Sequence, residues 1–381
     1  MEFPPALLED WMREYYFNTN IDIGSSGVEN FSLGELRNLF CLTQEELDRI
    51  VFHDSLTLGD EGLRRAIARR WQNGDPEQVM VTHGSSEAIY LIMNALLEAG
   101  DEVVVLDPSY HQLHSTAAAL GCRLKRWRLR QEQRFVPDVE QARKLIGPLT
   151  RMVVVNFPHN PTGASLSVEQ QSELIAATAE VGAYLLWDAA FAELTYDCPP
   201  LPQPNSQYER SISTGTLSKS YGLPGLRVGW FLAAPEVLAR CARLRDYITL
   251  HLSPLVELIA RRAIEGADAL LAIRVRQAQV NLEILAAWAD EHQNLIEWVR
   301  PQGGVCAFLR LRHVPDVEAF CRHLARNYRV LLVPGTCFDY PDYVRLGFGG
   351  ATSALEKGLA CLSELLKQWE TKGTRASYQL S

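Results

Sequence analysis

Five short apolar segments, each running into a loop of glycine, proline or polar residues, constrain the fold of this chain more than any other feature. They occupy residues 77–84, 101–110, 151–163, 183–191 and 210–222. Helical apolar patterns lie between several of them, and the clearest, residues 85–100, is predicted to end at a glycine cap, Gly100. Apolar segments at this spacing favour parallel strands covered by helices on both faces. The sequence therefore predicts an α/β fold.

The pattern changes after about residue 290. Shorter β segments follow, with helices predicted at about 315–327 and 352–370. A chain of 381 residues is long enough for about two domains. We therefore predict a large domain over 46–289 and a small α+β domain over 290–381. The N-terminal arm, 1–45, is expected to pack with the small domain.

Composition excludes several classes of protein. There are 46 acidic residues against 37 lysines and arginines, with no dense basic run, so we expect no nucleic-acid partner. The apolar stretches are far shorter than the roughly 20 residues that a membrane span needs. The eight cysteines are scattered, without a C-x-x-C pair or a histidine cluster at metal spacing. With no secretory leader recognised, we predict a cytoplasmic protein with reduced thiols and no metal site.

Polar side chains occur where the predicted strands end. They are Asp188, Asn160, Ser85, Ser86 and Lys219. Ligands of open α/β sheets collect at this edge, and the free N–H groups at the start of helix 85–100 favour an anion. Arg227, eight positions after Lys219, can add a bidentate contact. Each residue alone is compatible with a surface charge, a helix cap or a turn, but together they predict a phosphate site.

Four motifs carry a resemblance to a known family. They are "HNPTG" at 159–163, Asp188 at a strand end, "TLSKSYGLPGLRVGW" at 216–230 and "VRLGFG" at 344–349. In this order they resemble the fold type I enzymes that depend on pyridoxal 5'-phosphate (PLP), of the class I and II aminotransferase group. The resemblance implies a large domain with a mostly parallel seven-stranded sheet covered by helices, and a small α+β domain. It also implies a homodimer with active sites at the subunit interface.

The resemblance assigns a cofactor role to several positions. It implies that Lys219 forms the Schiff base with PLP and then moves protons at Cα of the substrate. Asp188 would keep the pyridine nitrogen protonated, because an opposite charge favours the charged form. The phosphate side would consist of Gly84, Ser85, Ser86, Thr216, Ser218 and Arg227. Tyr110 would stack on the cofactor ring, Asn160 would bind its phenolic oxygen, and Arg345 would bind the carboxylate of an amino-acid substrate.

Two positions depart from the family pattern. Many aminotransferases have a tyrosine that donates to the phenolic oxygen where this chain has Phe191, which cannot donate. Where they often carry a tyrosine that reaches the phosphate of the neighbouring subunit, this chain has Asp54. An acid at that position suits a cationic substrate better than a phosphate. The alternative is that Asp54 lies in solvent.

The N-terminal strings "LEDWMREYYF" (8–17) and "GSSGVENFSLGELR" (24–37) narrow the resemblance. They are similar to the members of this family that cyclise hydroxylated arginines, including the enduracididine-forming cyclodehydratases of guanitoxin biosynthesis. This implies a substrate with a guanidinium group. Candidate acceptors are Glu9 and Asp54, and candidates for the carboxylate side are Ser25, Gly27 and Val28. The alternative for Glu9 is a solvated charge on the first helix.

The favoured interpretation is conversion of γ-hydroxyarginine to L-enduracididine, whose new ring has five members. A β-hydroxy substrate would instead give the six-membered ring of capreomycidine. An aminotransferase that needs a 2-oxo acid is the main alternative, followed by a PLP-dependent lyase that releases ammonia. The effector domain of a transcription regulator is less favoured, because a DNA-binding domain would be expected ahead of it.

Overall fold

The computed structural model describes residues 2–71, 74–196 and 198–378, which form thirteen strands and thirteen α-helices. The strands are β1 (Ile21–Asp22), β2 (Val79–Thr82), β3 (Glu102–Asp107), β4 (Arg123–Arg128), β5 (Thr150–Asn156), β6 (Tyr184–Asp188), β7 (Ser211–Thr216), β8 (Gly229–Leu232), β9 (Ile296–Glu297), β10 (Cys306–Leu311), β11 (Val330–Leu331), β12 (Val333–Pro334) and β13 (Tyr343–Gly347). The helices are α1 (Leu7–Tyr15), α2 (Leu33–Phe40), α3 (Gln44–Asp48), α4 (Glu61–Trp71), α5 (Gly84–Leu96), α6 (Gln112–Ala119), α7 (Val139–Leu145), α8 (Val168–Glu180), α9 (Pro235–Arg245), α10 (Pro254–Glu265), α11 (Ala267–Glu291), α12 (Val317–Tyr328) and α13 (Thr352–Tyr378).

Seven strands form the central sheet, in the order β2-β8-β7-β6-β5-β3-β4. The pairs among β3 to β7 are parallel, and β8 runs antiparallel to both β2 and β7. Alternate residues of β5 face opposite cores: Met152 and Val154 pack with α5 and α9, whereas Val153 and Val155 pack with α7 and α8. Burial of both faces explains the near-continuous apolar sequence of these strands. The predicted seven-stranded, mostly parallel sheet is confirmed.

Two local features differ from the sequence prediction. Helix α5 ends at Leu96, and the buried Leu97 adopts an extended conformation that turns the chain toward β3, so the prediction of Gly100 as the cap is wrong. Gly100 instead lies in the following turn at φ +91°. The edge strand β4 was not predicted. Its sequence, RLKRWR, is mostly basic, as is common for an edge strand, and every side chain except the buried Trp127 is at least partly exposed.

The N-terminal arm packs against the C-terminal part of the chain. Strand β1 pairs in parallel with β11, beside a four-stranded antiparallel sheet of order β12-β13-β10-β9. Helix α1 buries Leu8, Trp11 and Tyr15 on one face, and Trp11 Nε1 donates to the Leu332 carbonyl at 3.0 Å. These contacts join the arm to residues 330–332. The domain limits at residues 45 and 289 stay predictions.

The last helix, α13, continues beyond its predicted end at residue 370 and reaches Tyr378. Among the described residues, no helix combines the length and the apolar character that crossing a membrane requires. All eight cysteines lie in the described ranges and none is paired. The same ranges contain no group of three or more histidine, cysteine or acidic side chains that could hold a metal ion.

Candidate active site

A cavity of about 1000 Å³ opens at the carboxyl ends of the parallel strands, between the central sheet, the N-terminal arm and β13. Most of the site residues predicted from the sequence line it. These are Glu9, Ser25, Gly27, Val28, Ser85, Ser86, Tyr110, Asn160, Asp188, Phe191, Thr216, Ser218, Lys219, Arg227 and Arg345. The topology therefore brings together residues that are more than 300 positions apart in the sequence.

Lys219 lies in the loop after β7, with its amine inside the cavity. Its Nζ donates a hydrogen bond to Ser26 Oγ at 2.9 Å. Burial, reinforced by the positive charge of Arg345, lowers the pKa of the Lys219 amine. A larger neutral fraction makes this amine a better nucleophile and a better base near neutral pH.

Asp188 is buried at the end of β6 and is held by its neighbours across the sheet. Its carboxylate accepts hydrogen bonds from Thr214 Oγ1 at 3.0 Å, Asn156 Nδ2 at 3.2 Å and the Ala190 N–H at 3.2 Å. Burial raises the pKa of Asp188 to about 6, although the Thr214 hydrogen bond acts in the opposite direction. A cation placed against this carboxylate would lower that pKa again and favour the ion pair.

Sequence reasoning missed both side-chain partners of Asp188. Asn156, Asp188 and Thr214 are register partners on three adjacent strands, β5, β6 and β7. The available signal was a polar residue near the end of a predicted strand, as Asn156 in "VVVN" and Thr214 in "STGT". Their relation to Asp188 depends on strand order, which that signal does not contain.

At one end of the cavity, hydrogen-bond donors gather around the start of α5. Gly84, the first residue of this helix, has φ +74°, and a Cβ on it would come within 2.6 Å of Arg227 Nη2. The guanidinium thus lies directly against the helix start, and Arg227 Nη1 donates to Ser218 Oγ at 3.3 Å. Free backbone N–H groups, hydroxyls and a guanidinium form a donor set that suits a phosphate group. Gly84 itself does not line the cavity, but its lack of a side chain lets the Arg227 guanidinium come close to the start of α5.

Arg345 lies elsewhere in the cavity, buried on β13. Its Nη2 donates to the Gly24 carbonyl at 2.9 Å and its Nη1 to Asn160 Oδ1 at 3.4 Å. Its Nε is buried and has no hydrogen-bond partner among the described residues. A buried guanidinium with an unused donor is suited to a ligand carboxylate, which can accept two hydrogen bonds from it.

The wall contributed by α1 carries Glu9. Tyr110 donates its hydroxyl hydrogen to Glu9 Oε1 at 3.0 Å. Burial and the negative charge of Glu9 raise the pKa of Tyr110, so its hydroxyl stays protonated and remains a donor. Phe191, just after β6, is buried and lines the same cavity without offering a hydrogen-bond donor. The cavity therefore presents a carboxylate at Glu9 as well as a guanidinium at Arg345.

Asp54 does not belong to this cavity within a single chain. Its side chain is fully exposed, and its Oδ1 lies 3.2 Å from Nε2 of His251. Asp54 is not part of the cavity wall. Within one chain, Asp54 therefore lies at the surface beside His251. Its contribution to the site of a neighbouring subunit stays a prediction.

Comparison with known proteins identifies the family. Residues 43–362 match the model of the family Aminotransferase class I and II. The chain is 47% identical over 365 residues to capreomycidine synthase of Streptomyces vinaceus, covering 95% of this chain and 94% of that protein. It is 30% identical over 329 residues to the arginine–pyruvate transaminase of Pseudomonas aeruginosa, covering 81% and 82% of the two chains.

Comparison with a solved structure also supports this family. The crystal structure of the PLP-dependent cyclase OrfR, in complex with Au, superposes with a TM-score of 0.92 and 43% identity, over 97% of this chain and 98% of that one. The chain belongs to the class I and II aminotransferase family, with the fold type I architecture expected from the sequence. It is an enzyme that depends on pyridoxal 5'-phosphate. The donor set at α5 and the buried carboxylate of Asp188 fit the two ends of this cofactor.

Proposed function

We propose that this enzyme catalyses the cyclodehydration of a hydroxylated arginine. The observation that carries the proposal is that one cavity holds both Arg345, a buried guanidinium with an unused donor, and Glu9, a carboxylate. An arginine derivative has the complementary groups, a carboxylate at one end and a guanidinium at the other. The similarity to capreomycidine synthase and to a PLP-dependent cyclase supports this substrate class.

The cofactor would be held by Arg227, the start of α5 and the hydroxyls of Ser85, Ser86, Thr216 and Ser218 at its phosphate, by Tyr110 at its ring face and by Asn160 at its phenolic oxygen. When bound, PLP supplies a sink for the electrons left at Cα after proton removal. Asp188, as a carboxylate, would hold the proton on the pyridine nitrogen. Phe191 replaces a further hydrogen-bond donor by an apolar surface.

Lys219 is proposed to move the protons. Its amine, with a pKa lowered by burial, takes the proton from Cα of the substrate and later returns it. The same amine would act at the adjacent carbon and would give the departing hydroxyl the proton that makes it water. Arg345 holds the substrate carboxylate beside Ser25, Gly27 and Val28. Glu9 orients the guanidine, because ring closure depends on the geometry of the two reacting atoms.

The net reaction needs no oxidant or second substrate. One C–O bond breaks and one C–N bond forms between a guanidine nitrogen and the carbon that carried the hydroxyl. The hydroxyl leaves as water, and the proton lost from the guanidine balances the one that water carries away. Closure at Cγ gives a five-membered ring and closure at Cβ gives a six-membered ring.

We propose γ-hydroxyarginine as the particular substrate and L-enduracididine as the product. The support is the resemblance carried by the N-terminal segments 8–17 and 24–37. The second candidate is β-hydroxyarginine with capreomycidine as product, and the 47% identity to capreomycidine synthase favours it. Mass spectrometry of the holoenzyme with each substrate, without any oxo acid, distinguishes the two. Repeated turnover to a product lighter by one water is expected with one isomer only, and nuclear magnetic resonance then gives the ring size.

An aminotransferase is the alternative activity, supported by the similarity to arginine–pyruvate transaminase. That activity would stop after a single turnover, with the cofactor left in its amine form, and would resume only when a 2-oxo acid is added. The same experiment therefore separates the two activities. Release of ammonia with an oxo-acid product would instead indicate a lyase.

Replacement of Glu9 by glutamine tests how the guanidinium is recognised. Glutamine keeps an acceptor for Tyr110 but removes the charge, so we expect kcat/KM for the hydroxyarginine to fall by about 10- to 100-fold, the effect of losing a hydrogen bond between charged groups. Binding of citrulline, which has no positive charge, should change much less. Asp10→Asn is the matched control, because Asp10 is the next residue on α1 and pairs with Arg13 at the surface.

We further propose a cytoplasmic homodimer in which Asp54 of each subunit approaches the guanidinium in the site of the other. Asp54→Asn, combined with Glu9→Gln, should then weaken arginine binding more than Glu9→Gln alone. If neither substitution changes the affinity for hydroxyarginine, the proposed position of the guanidinium is wrong, although PLP chemistry at Lys219 would be unaffected.

A further inference from the structure

The loop between β1 and α2 brings a hydroxyl to the catalytic amine that sequence reasoning did not identify. Ser26 is buried, lines the cavity and lies with its Oγ 2.9 Å from Lys219 Nζ. The loop is also joined to the lysine through the main chain, since the Val28 N–H donates to the Lys219 carbonyl at 3.3 Å. Two separate contacts therefore link the arm to Lys219.

The other side of this loop is fixed against β13. The Gly347 N–H donates to the Ile23 carbonyl at 2.9 Å, and the Gly24 carbonyl accepts from Arg345 Nη2 at 2.9 Å. Gly347 has no room for a Cβ because the Ser25 carbonyl occupies that space. With both ends held, the position of the Ser26 hydroxyl is set by the fold rather than by a mobile loop.

We propose that Ser26 is a positioning residue for Lys219. Its hydroxyl holds the lysine amine in the orientation from which protons move to and from Cα, during the part of the cycle in which that amine is free. The proposal rests on the PLP-dependent activity and on Lys219 as the proton carrier, and it is independent of the ring that forms. The hydroxyl can accept from the ammonium and can either donate to or accept from the neutral amine, so it can stay in contact with Lys219 through proton transfer.

The electrostatic surroundings explain why a neutral partner suits this position. The groups whose charge acts on Lys219 are Arg345, Arg227, Glu9, Cys306 and Asp188. Burial and the two guanidinium groups favour the neutral amine. A carboxylate in place of Ser26 would favour the ammonium and oppose removal of the Cα proton. A hydroxyl orients the amine without adding a charge.

The test uses exchange of the Cα hydrogen of L-arginine in D₂O by the holoenzyme, followed by nuclear magnetic resonance. Arginine has no hydroxyl to eliminate, so exchange reports the Lys219 step without ring closure. We expect Ser26→Ala to slow the exchange by about 10- to 100-fold, as expected when a catalytic group is misplaced by a fraction of an ångström to an ångström. Ser26→Thr, which keeps the hydroxyl, should restore most of the rate. Affinity for PLP should be unchanged in both variants.

A second measurement uses the cofactor-free enzyme. Labelling of Lys219 by trinitrobenzenesulfonate, followed by peptide mass spectrometry across pH, reports the pKa of its amine directly. Loss of an acceptor for the ammonium should shift the Ser26→Ala profile to lower pH, with Ser26→Thr close to wild type. The matched control is Ser213→Ala, which removes another buried hydroxyl, one that donates to Asn205 Oδ1 at 2.6 Å outside the cavity.

The outcomes separate the proposal from a structural effect and from the proposed function. Unchanged exchange and an unchanged labelling profile in Ser26→Ala would overturn the positioning role. A slower exchange accompanied by an equal loss of PLP affinity and thermal stability would also overturn it, because the arm would then have been displaced as a whole. Failure of the wild-type enzyme to cyclise either hydroxyarginine, with normal exchange of arginine, would overturn only the cyclodehydratase assignment.

Discussion

Replacing Lys219 by alanine is expected to reduce turnover of the hydroxyarginine by at least about 10⁴-fold, the largest effect of any single substitution in this chain. The substitution removes both the amine proposed to bond to the cofactor and the base proposed to take the Cα proton. Borohydride reduction of the wild-type holoenzyme, followed by peptide mass spectrometry, should find the reduced cofactor on the peptide that contains Lys219. In Lys219→Ala no peptide should carry it, although PLP can still bind at its phosphate.

Lys144→Ala is the control for this experiment, because Lys144 is an exposed lysine on α7, outside the cavity. It should keep both turnover and the reduced peptide. Recovery of the cofactor on a different lysine in the wild-type enzyme would contradict the role of Lys219, and with it the mechanism proposed above.

Replacing Asp188 by asparagine is expected to lower turnover by about 10²- to 10³-fold, a typical loss for one preorganised electrostatic contact. Asparagine has nearly the same shape, but it cannot hold a proton on the pyridine nitrogen by charge. The effect should fall on kcat more than on KM, since Asp188 is proposed to act on the cofactor, whereas Arg345 and Glu9 are proposed to bind the substrate. A variant with wild-type kcat would show that the protonated ring is not required.

The same substitution has a consequence for stability that needs no substrate. In the cofactor-free chain burial raises the pKa of Asp188 from 3.8 to about 6. Between these two values the folded state keeps a proton that the unfolded state releases, so this group makes the free energy of unfolding fall as pH rises. The fall amounts to about 3 kcal/mol at 1.36 kcal/mol for each pKa unit.

We therefore expect Asp188→Asn to remove this part of the pH dependence. Urea unfolding of the cofactor-free protein at about pH 4 and about pH 7 measures it, as the change in free energy of unfolding between the two conditions. The control Asp10→Asn should keep the wild-type difference. An equal difference in Asp188→Asn and wild type would mean that Asp188 is ionised in the folded chain without cofactor.

Several of the proposed cofactor contacts could be predicted from the sequence because they lie in short, continuous strings. Lys219 and Arg227 belong to one loop, and Ser85 and Ser86 open one helix. Within such a string the chain itself keeps the side chains near one another, and the resemblance to the family supplied their roles. The order of apolar segments likewise predicted the central sheet, because strands buried on both faces need continuous apolar sequence.

What sequence reasoning missed depends on contacts between distant segments. Asn156 and Thr214 support Asp188 only because β5, β6 and β7 are neighbours in register. Ser26 reaches Lys219 only because the arm docks beside β13. The role of Asp54 stays a prediction, because the resemblance implies a contact across a subunit boundary and spacing within one chain cannot show where an adjoining subunit lies.

The pairing of β1 with β11 has a consequence for the order in which the enzyme matures. Residues 84–227, which contain the proposed cofactor contacts, are all synthesised before β11 and β13 exist. The arm is made first, yet its strand β1 has no partner strand until residues 330–331 have been synthesised. Arg345 and the β13 side of the loop that carries Ser26 are therefore the last parts of the cavity to be synthesised, so the complete cavity requires almost the whole chain.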